Sequence, residues 1–272
     1  MSKNEAVPIP MDDPDFIASV AYTQRILRER IWKLERGSDH LTRRKNSELS
    51  FIEETLGDYS FTALFRRHMT IAHGALKEMV KYLKPKDKPT LTPVILARCA
   101  IENAGISRWL SEPEPSVVIQ RSIERHLSNI RNEKKLLNII GGSASQWAVG
   151  REQALLDHAA KKNIDLAHLK GQRGRVRPTA LTQIMDNLDA VMARRGDVGM
   201  GNVQAPWSLS SAIIHGADYP ERMLAGLTIT DDANQLIGVS SIILSGLAES
   251  ATIAYEDATE NYKKLYLHTV DR

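Results

Sequence analysis

The stretch Pro206-Trp207-Ser208-Leu209-Ser210-Ser211-Ala212-Ile213-Ile214-His215-Gly216 holds the residues nearest to a chemical site in this chain. On a helix each residue advances by about 100°, so Ser208, Ser211 and His215 share one edge. Leu209 and Ile213 face elsewhere, and Gly216 supplies a left-handed stop. A serine beside an imidazole is the raw material of nucleophilic catalysis. That chemistry also needs an oriented base and an oxyanion donor, and the sequence offers no third group for either role.

A second set of polar residues sits on the helix expected from Thr92, an N-cap followed by Pro93, to Ser111. Leu91, Val94, Ile95 and Trp109 form an apolar stripe with Arg98 and Glu102 in its middle. Ala97, Ala100, Ala104 and Ser107 make a small side suited to close helix approach. Both sides are therefore expected to be covered, and the helix to be central. A charge buried alone costs several kcal/mol, so Arg98 and Glu102 should pair, and truncating either should cost on the order of 3 kcal/mol. Two outcomes stay open: a structural pair that fixes helix register, or a polar pocket of Arg98, Glu102, Ser208, Ser211 and His215.

Arg98-x-x-Ile101-Glu102 followed by Trp109-Leu110 and Pro113, and later Leu209-Ser210-x4-His215-Gly216, resemble a group of bacterial all-helical proteins. These are related in style to the HEPN superfamily of nucleotide- and RNA-binding bundles. The resemblance covers about residues 60–265 in element order. It implies RNA or a nucleotide as ligand, and dimers in which two motifs face one cleft. Many members are RNases that use an Arg, four to six residues, then His, often with a polar residue after the Arg. The helix ending at His215 has no Arg at that spacing. Arg67-His68-x4-His73 fits it with a polar residue after the Arg; Arg121-x4-His126 and Arg151-x6-His158 fit loosely. With 8 histidines among many arginines, chance supplies such spacings, so they do not establish catalysis. His126 also falls on an apolar stripe, which reads as a satisfied core histidine.

A basic loop, Lys170 with Arg173, Arg175 and Arg177, could hold phosphates through charge-assisted bonds, but no aromatic is interleaved for base stacking. No metal site is expected, because His68 and His73 splay apart on a helix and no His/Cys/Asp set has ligand spacing. Gly196-x-x-Gly199-x-Gly201 lacks a preceding strand and a lysine at a helix start, so it is no phosphate loop, and no cofactor is implied.

The elements that must position these residues are helices. Residues 1–12 read as a flexible tail and 13–272 as one helical bundle domain. Helices are expected at about 15–34, 61–83, 92–111, from beyond Pro115 to the Gly141-Gly142 stop, 145–162, 179–194, 208–215 and 231–267. The last carries the stripe Ile237, Leu244, Leu247, Ala251, Ala258 and Leu265. No run shows β-branched alternation between turns. The fold is expected to be all-α, a single compact multi-helix bundle. Aromatic content of 6% suits Ala- and Leu-lined helix packing, and a net charge of +3 is too small to argue for nucleic acid. A lone Cys99 excludes an intrachain disulfide framework and fits a reducing compartment. The first residues, MSKNEAVPIPMDDPD, have no apolar core and are not a signal peptide. Leu236 to Ala254 holds one charge, Glu249, and is about long enough to cross a bilayer, but its five hydroxyl side chains favour a buried helix. The reading is a cytoplasmic, homo-oligomeric binding or defence-associated protein with no membrane partner. The alternative is a non-catalytic dimeric interaction module with a structural polar core.

Overall fold

The computed structural model describes residues 14–34, 45–83, 91–140, 144–169, 178–194, 203–215, 228–230, 236–239 and 241–268. The expected tail at 1–12, the basic loop at 170–177 and Gly216 lie outside the described residues. The helices are α1 (Pro14–Lys33), α2 (Glu48–Leu56), α3 (Phe61–Met79), α4 (Thr92–Leu110), α5 (Pro115–Ile140), α6 (Ala144–Lys161), α7 (Leu181–Arg194), α8 (Gln204–Ile214) and α9 (Ser241–Leu267). Short 3-10 turns cover Val80–Tyr82 and Ala167–Leu169. The fold is all-α, and the one departure among the described residues is a small antiparallel ladder of β1 (Thr228–Thr230) and β2 (Leu236–Val239), which pairs Thr228 with Val239.

Three expectations need correction. The last helix starts at Ser241 and not at 231, because residues 236–239 spend their backbone groups on β1. Gly238 is a poor helix former, and apolar periodicity alone cannot detect that cross-strand pairing. Helix α2 was not anticipated, although its signals are plain afterwards. Ser47 Oγ accepts the Ser50 N–H at 3.1 Å, Leu49, Ile52 and Leu56 are buried, and Gly57 at φ 57° closes the helix with its N–H on the Glu53 carbonyl. Finally, the Leu91 carbonyl accepts from Val94 and Ile95, so Leu91 and not Thr92 occupies the cap position of α4. Pro93 still falls in the first turn, where its missing N–H goes unfelt.

The chain divides into two compact units. One gathers Met1–Gly37, Met69–Gly105 and Met185–Glu256. Its core is built from Leu27, Ile31, Leu76, Met79, Ile101 and Leu244 together with the alanines of α4 and α9. Ala97, Ala100 and Ala104 are fully buried, so the small side of α4 is the covered one. At Gly105 an added Cβ would lie 3.0 Å from the Met185 methyl, which explains why the smallest residue sits there.

The other unit gathers Ser38–His68, Ile106–Ile184 and Asp257–Arg272. In it α5 packs on α6 and on α2, and Phe65 stacks on Tyr262 with ring centroids 4.5 Å apart. Arg108 is buried here with 2% of its side chain exposed, its Nε donating to Asp257 Oδ2 at 3.0 Å. Glu112 stands 3.8 Å from its Nη1. Removing one member of a buried pair leaves the other charge uncompensated, whereas replacing both by apolar groups is often neutral. Asp257→Ala is therefore expected to cost about 3 kcal/mol, and Arg108→Met combined with Asp257→Leu to recover most of it. Urea midpoints at constant slope measure both; an Asp257→Ala midpoint within error of the parent would mean that the pair is inconsequential.

Candidate functional site

Sequence places Arg98 and Glu102 one turn apart on α4, and the first unit brings α8 against them. Arg98 Nε donates to Glu102 Oε1 at 2.9 Å, and its Nη1 donates to Ser211 Oγ at 3.0 Å and to His215 Nε2 at 3.3 Å. Trp207 Nε1 donates to the same Glu102 oxygen at 2.8 Å, and the guanidinium carbon lies 5.7 Å from the Trp207 ring centre. Four of the five expected pocket residues thus meet. Ser208 is half-buried one turn earlier on α8. Trp207 is the member that sequence reasoning missed, because it stands 105 residues from Glu102 and no local spacing connects the two.

The start of α8 is held by a residue sequence did not single out. Val203 has helical backbone angles and no capping side chain, and Asp189 of α7 takes over that role. Its Oδ1 accepts the Val203 N–H, and also the Gln204 N–H at 3.1 Å. Burial pushes the Asp189 carboxyl up, while those two amides hold it down. A carboxylate at a helix N-terminus is also favoured by the aligned peptide dipoles.

This cluster is closed upon itself. An arginine can only donate, so His215 receives its bond through an unprotonated Nε2, with the ring proton on Nδ1. The same lone pair cannot then serve as a base for Ser211, whose oxygen accepts from the same Nη1. The arrangement is a pin between α4 and α8. It is less covered than sequence implies: Arg98 and Glu102 are 22% and 25% exposed, and Ile95 on the supposed apolar stripe is 53% exposed. Water can rehydrate a stranded partner, so Arg98→Ala is expected to cost about 1–2 kcal/mol and not 3. Chemical denaturation of Arg98→Ala and Trp207→Phe reads this directly; a loss above about 3 kcal/mol for Arg98→Ala would restore the fully buried picture.

The Arg67-His68-x4-His73 residues are not gathered into one site. Arg67 is exposed, His68 is buried with Arg125 Nε donating to its Nε2 at 3.3 Å, and His73 Nε2 donates to the Leu34 carbonyl at 3.2 Å. Arg121 bonds the Trp109 carbonyl at 2.6 Å and Glu112 at 3.1 Å, and His158 Nε2 donates to the Thr55 carbonyl at 3.1 Å. Among the described residues no cluster of His, Cys, Asp and Glu could hold a metal ion.

A different grouping does occur in the second unit. Arg67 from α3, His126 and Asn129 from α5 and Arg151 from α6 line one groove of about 650 Å³, with Asn132, Glu133 and Leu136 continuing the α5 wall. Arg151 Nη1 donates to Glu133 Oε2 at 2.7 Å, while Arg67 has no ion pair among the described residues. His126 is corrected here: it is not a satisfied core residue, because its buried Nε2 has no hydrogen-bond partner. Tyr59 meets its ring edge-on with centroids 5.6 Å apart. Sequence reasoning had Arg67, His126 and Arg151 only as members of separate spacings. The polar residues recurring every three or four positions along α5 were the signal that a face was being lined.

No protein-family model, curated protein or solved structure matches the chain.

Burial lowers the His126 pKa, while hydrogen bonding of the ring to the Ser60 and Tyr59 backbone carbonyls works to raise it. A histidine whose folded pKa lies below the unfolded value of about 6.5 contributes nothing to the pH dependence when both states are neutral. As pH falls through 6.5, the unfolded chain takes the proton first and stability drops. Replacing His126 with Gln is therefore expected to flatten the decline in melting temperature between about pH 7.5 and 5.5. An unchanged slope would show that this imidazole titrates as freely as in the unfolded chain.

Proposed function

We propose that this chain is a cytoplasmic helical binding protein of the HEPN kind, and that it takes RNA or a nucleotide by its phosphates in the groove between α3, α5 and α6. The observation that carries this reading is the convergence of Arg67, Arg151 and His126 on one groove, with Arg67 uncommitted to a carboxylate among the described residues. Two guanidinium groups offer forked donors matched to phosphate oxygens. Asn129 and Asn132 add neutral donors along the α5 wall. Glu133 offsets part of the positive charge, which favours a modest affinity. No helix among the described residues is long and apolar enough to cross a membrane. Burial raises the Cys99 thiol, with Glu102 adding to the effect, so it suits an unreactive role in a reducing compartment.

A second reading, a dimeric interaction module with a structural polar core, is favoured by the closed Arg98–Glu102–Trp207–Ser211–His215 set, which leaves little for a ligand to satisfy.

Fluorescence anisotropy with a short single-stranded RNA and with ATP separates the two ligand sources. Binding is expected to weaken steeply with salt, and replacing Arg67 and Arg151 together with alanine to reduce the slope of log K against log salt by about one to two units. If neither probe is retained at about 50 mM salt, the phosphate reading fails and the interaction module stands.

A further inference from the structure

One side chain beside the groove is not explained by phosphate binding. Trp147 on α6 is 57% exposed, and the Arg151 guanidinium carbon lies 4.6 Å from its ring centre. Such exposure leaves the large apolar ring without the covering a core tryptophan receives. The ion pairs Arg151–Glu133 and Arg131–Glu152, both at 2.7 Å, set the antiparallel register of α5 and α6. That register puts Trp147 level with Leu136 and Leu137, at the end of the groove marked by Leu136, which is itself 56% exposed. From His126 to Leu136 the α5 wall runs for roughly 15 Å at about 1.5 Å per residue. Phosphates in one strand of a duplex follow each other at about 3.4 Å along the axis, so the wall is long enough for several nucleotides.

We infer that the groove receives single-stranded nucleic acid, with one base stacked on Trp147 and the adjoining phosphates held by Arg151 and Arg67. The inference rests on the phosphate reading of the groove and adds the base to it. An exposed aromatic beside a positively charged track is the arrangement by which unpaired strands are held without sequence preference, since every base presents a π-face. Arg151 contributes twice: it lies over the ring, which strengthens the stack electrostatically, and it lines the groove, where its Nη1 donates to Glu133 Oε2. A duplex keeps its bases stacked inside and has no free face for Trp147, so the site selects single strands. A second copy of this chain could also cover an apolar ring, and sedimentation velocity separates that occupant from a bound strand.

The test uses the full chain and an oligouridylate of about ten nucleotides, with an abasic strand of equal length as the comparison. Strand binding is expected to quench tryptophan fluorescence, and Trp147→Ala to remove most of that quench and weaken the oligouridylate by about tenfold or more. Trp147→Phe should retain most of the affinity, and the abasic strand should bind wild type and Trp147→Ala alike. Because the side chain is exposed, both variants should melt as the parent does. Unchanged oligouridylate affinity in Trp147→Ala overturns the inference, as does an equal loss with the abasic strand. A switch from dimer to monomer in sedimentation velocity with no change in affinity overturns it too, and assigns the ring to a copy-to-copy interface. If strands bind through Arg67 and Arg151 but ignore Trp147, this inference alone fails; if no strand binds, the phosphate reading has failed before it.

Discussion

A guanidinium taken out of water must find a carboxylate, and α4 makes that demand twice along its length. Its small side, Ala97, Ala100, Ala104 and Ser107, is fully buried and lets other elements come close. Close approach removes nearly all water from Arg108 and part of it from Arg98, and no neutral hydrogen bond fully replaces the hydration of a charge. Arg98 meets Glu102 on the next turn, and Arg108 meets Asp257 of α9. Each pair is specific in geometry, so each also dictates which neighbour can stand beside α4. Trp207 and Ser211 are fixed on the Arg98 side by the same hydrogen bonds that satisfy the pair.

The contrast between this cluster and the α3–α5–α6 groove separates structural polarity from available polarity. Around Arg98 four hydrogen bonds join Arg98, Glu102, Trp207, Ser211 and His215 to one another. Along the groove Arg67 has no carboxylate among the described residues, which leaves its donors for a ligand. For that reason the groove, and not the cluster built from the most suggestive sequence segment, carries the functional proposal.

Much of the chain was legible because helix signals are local. Pro115 and the two glycines after Ile140 bracket α5, and its buried Ile119, Ile123, Leu127 and Ile130 repeat at helical spacing. Helix α2 escaped notice because it spans only nine residues, too few for periodicity to stand out, although Ser47 and Gly57 mark both its ends. The ladder of β1 and β2 escaped for a different reason. Its hydrogen bonds join residues separated in sequence, and the spacing of Ile237, Leu244 and Leu247 satisfies a helix equally well.

Sequence by itself determined the all-α class, most helix limits, and the pairing of Arg98 with Glu102, because each depends on residues within about one helical turn of one another. It also placed Ser211 and His215 on a common edge. Only the tertiary structure decided which polar residues meet across helices. Arg67, His126 and Arg151 come from α3, α5 and α6, and no spacing rule connects them. The tertiary packing also decided that Trp147 stands exposed beside Arg151 while Trp109 is buried. Local chemistry writes the helices; which faces remain open to a ligand depends on which neighbours exclude water from them, and that is a property of the assembled chain.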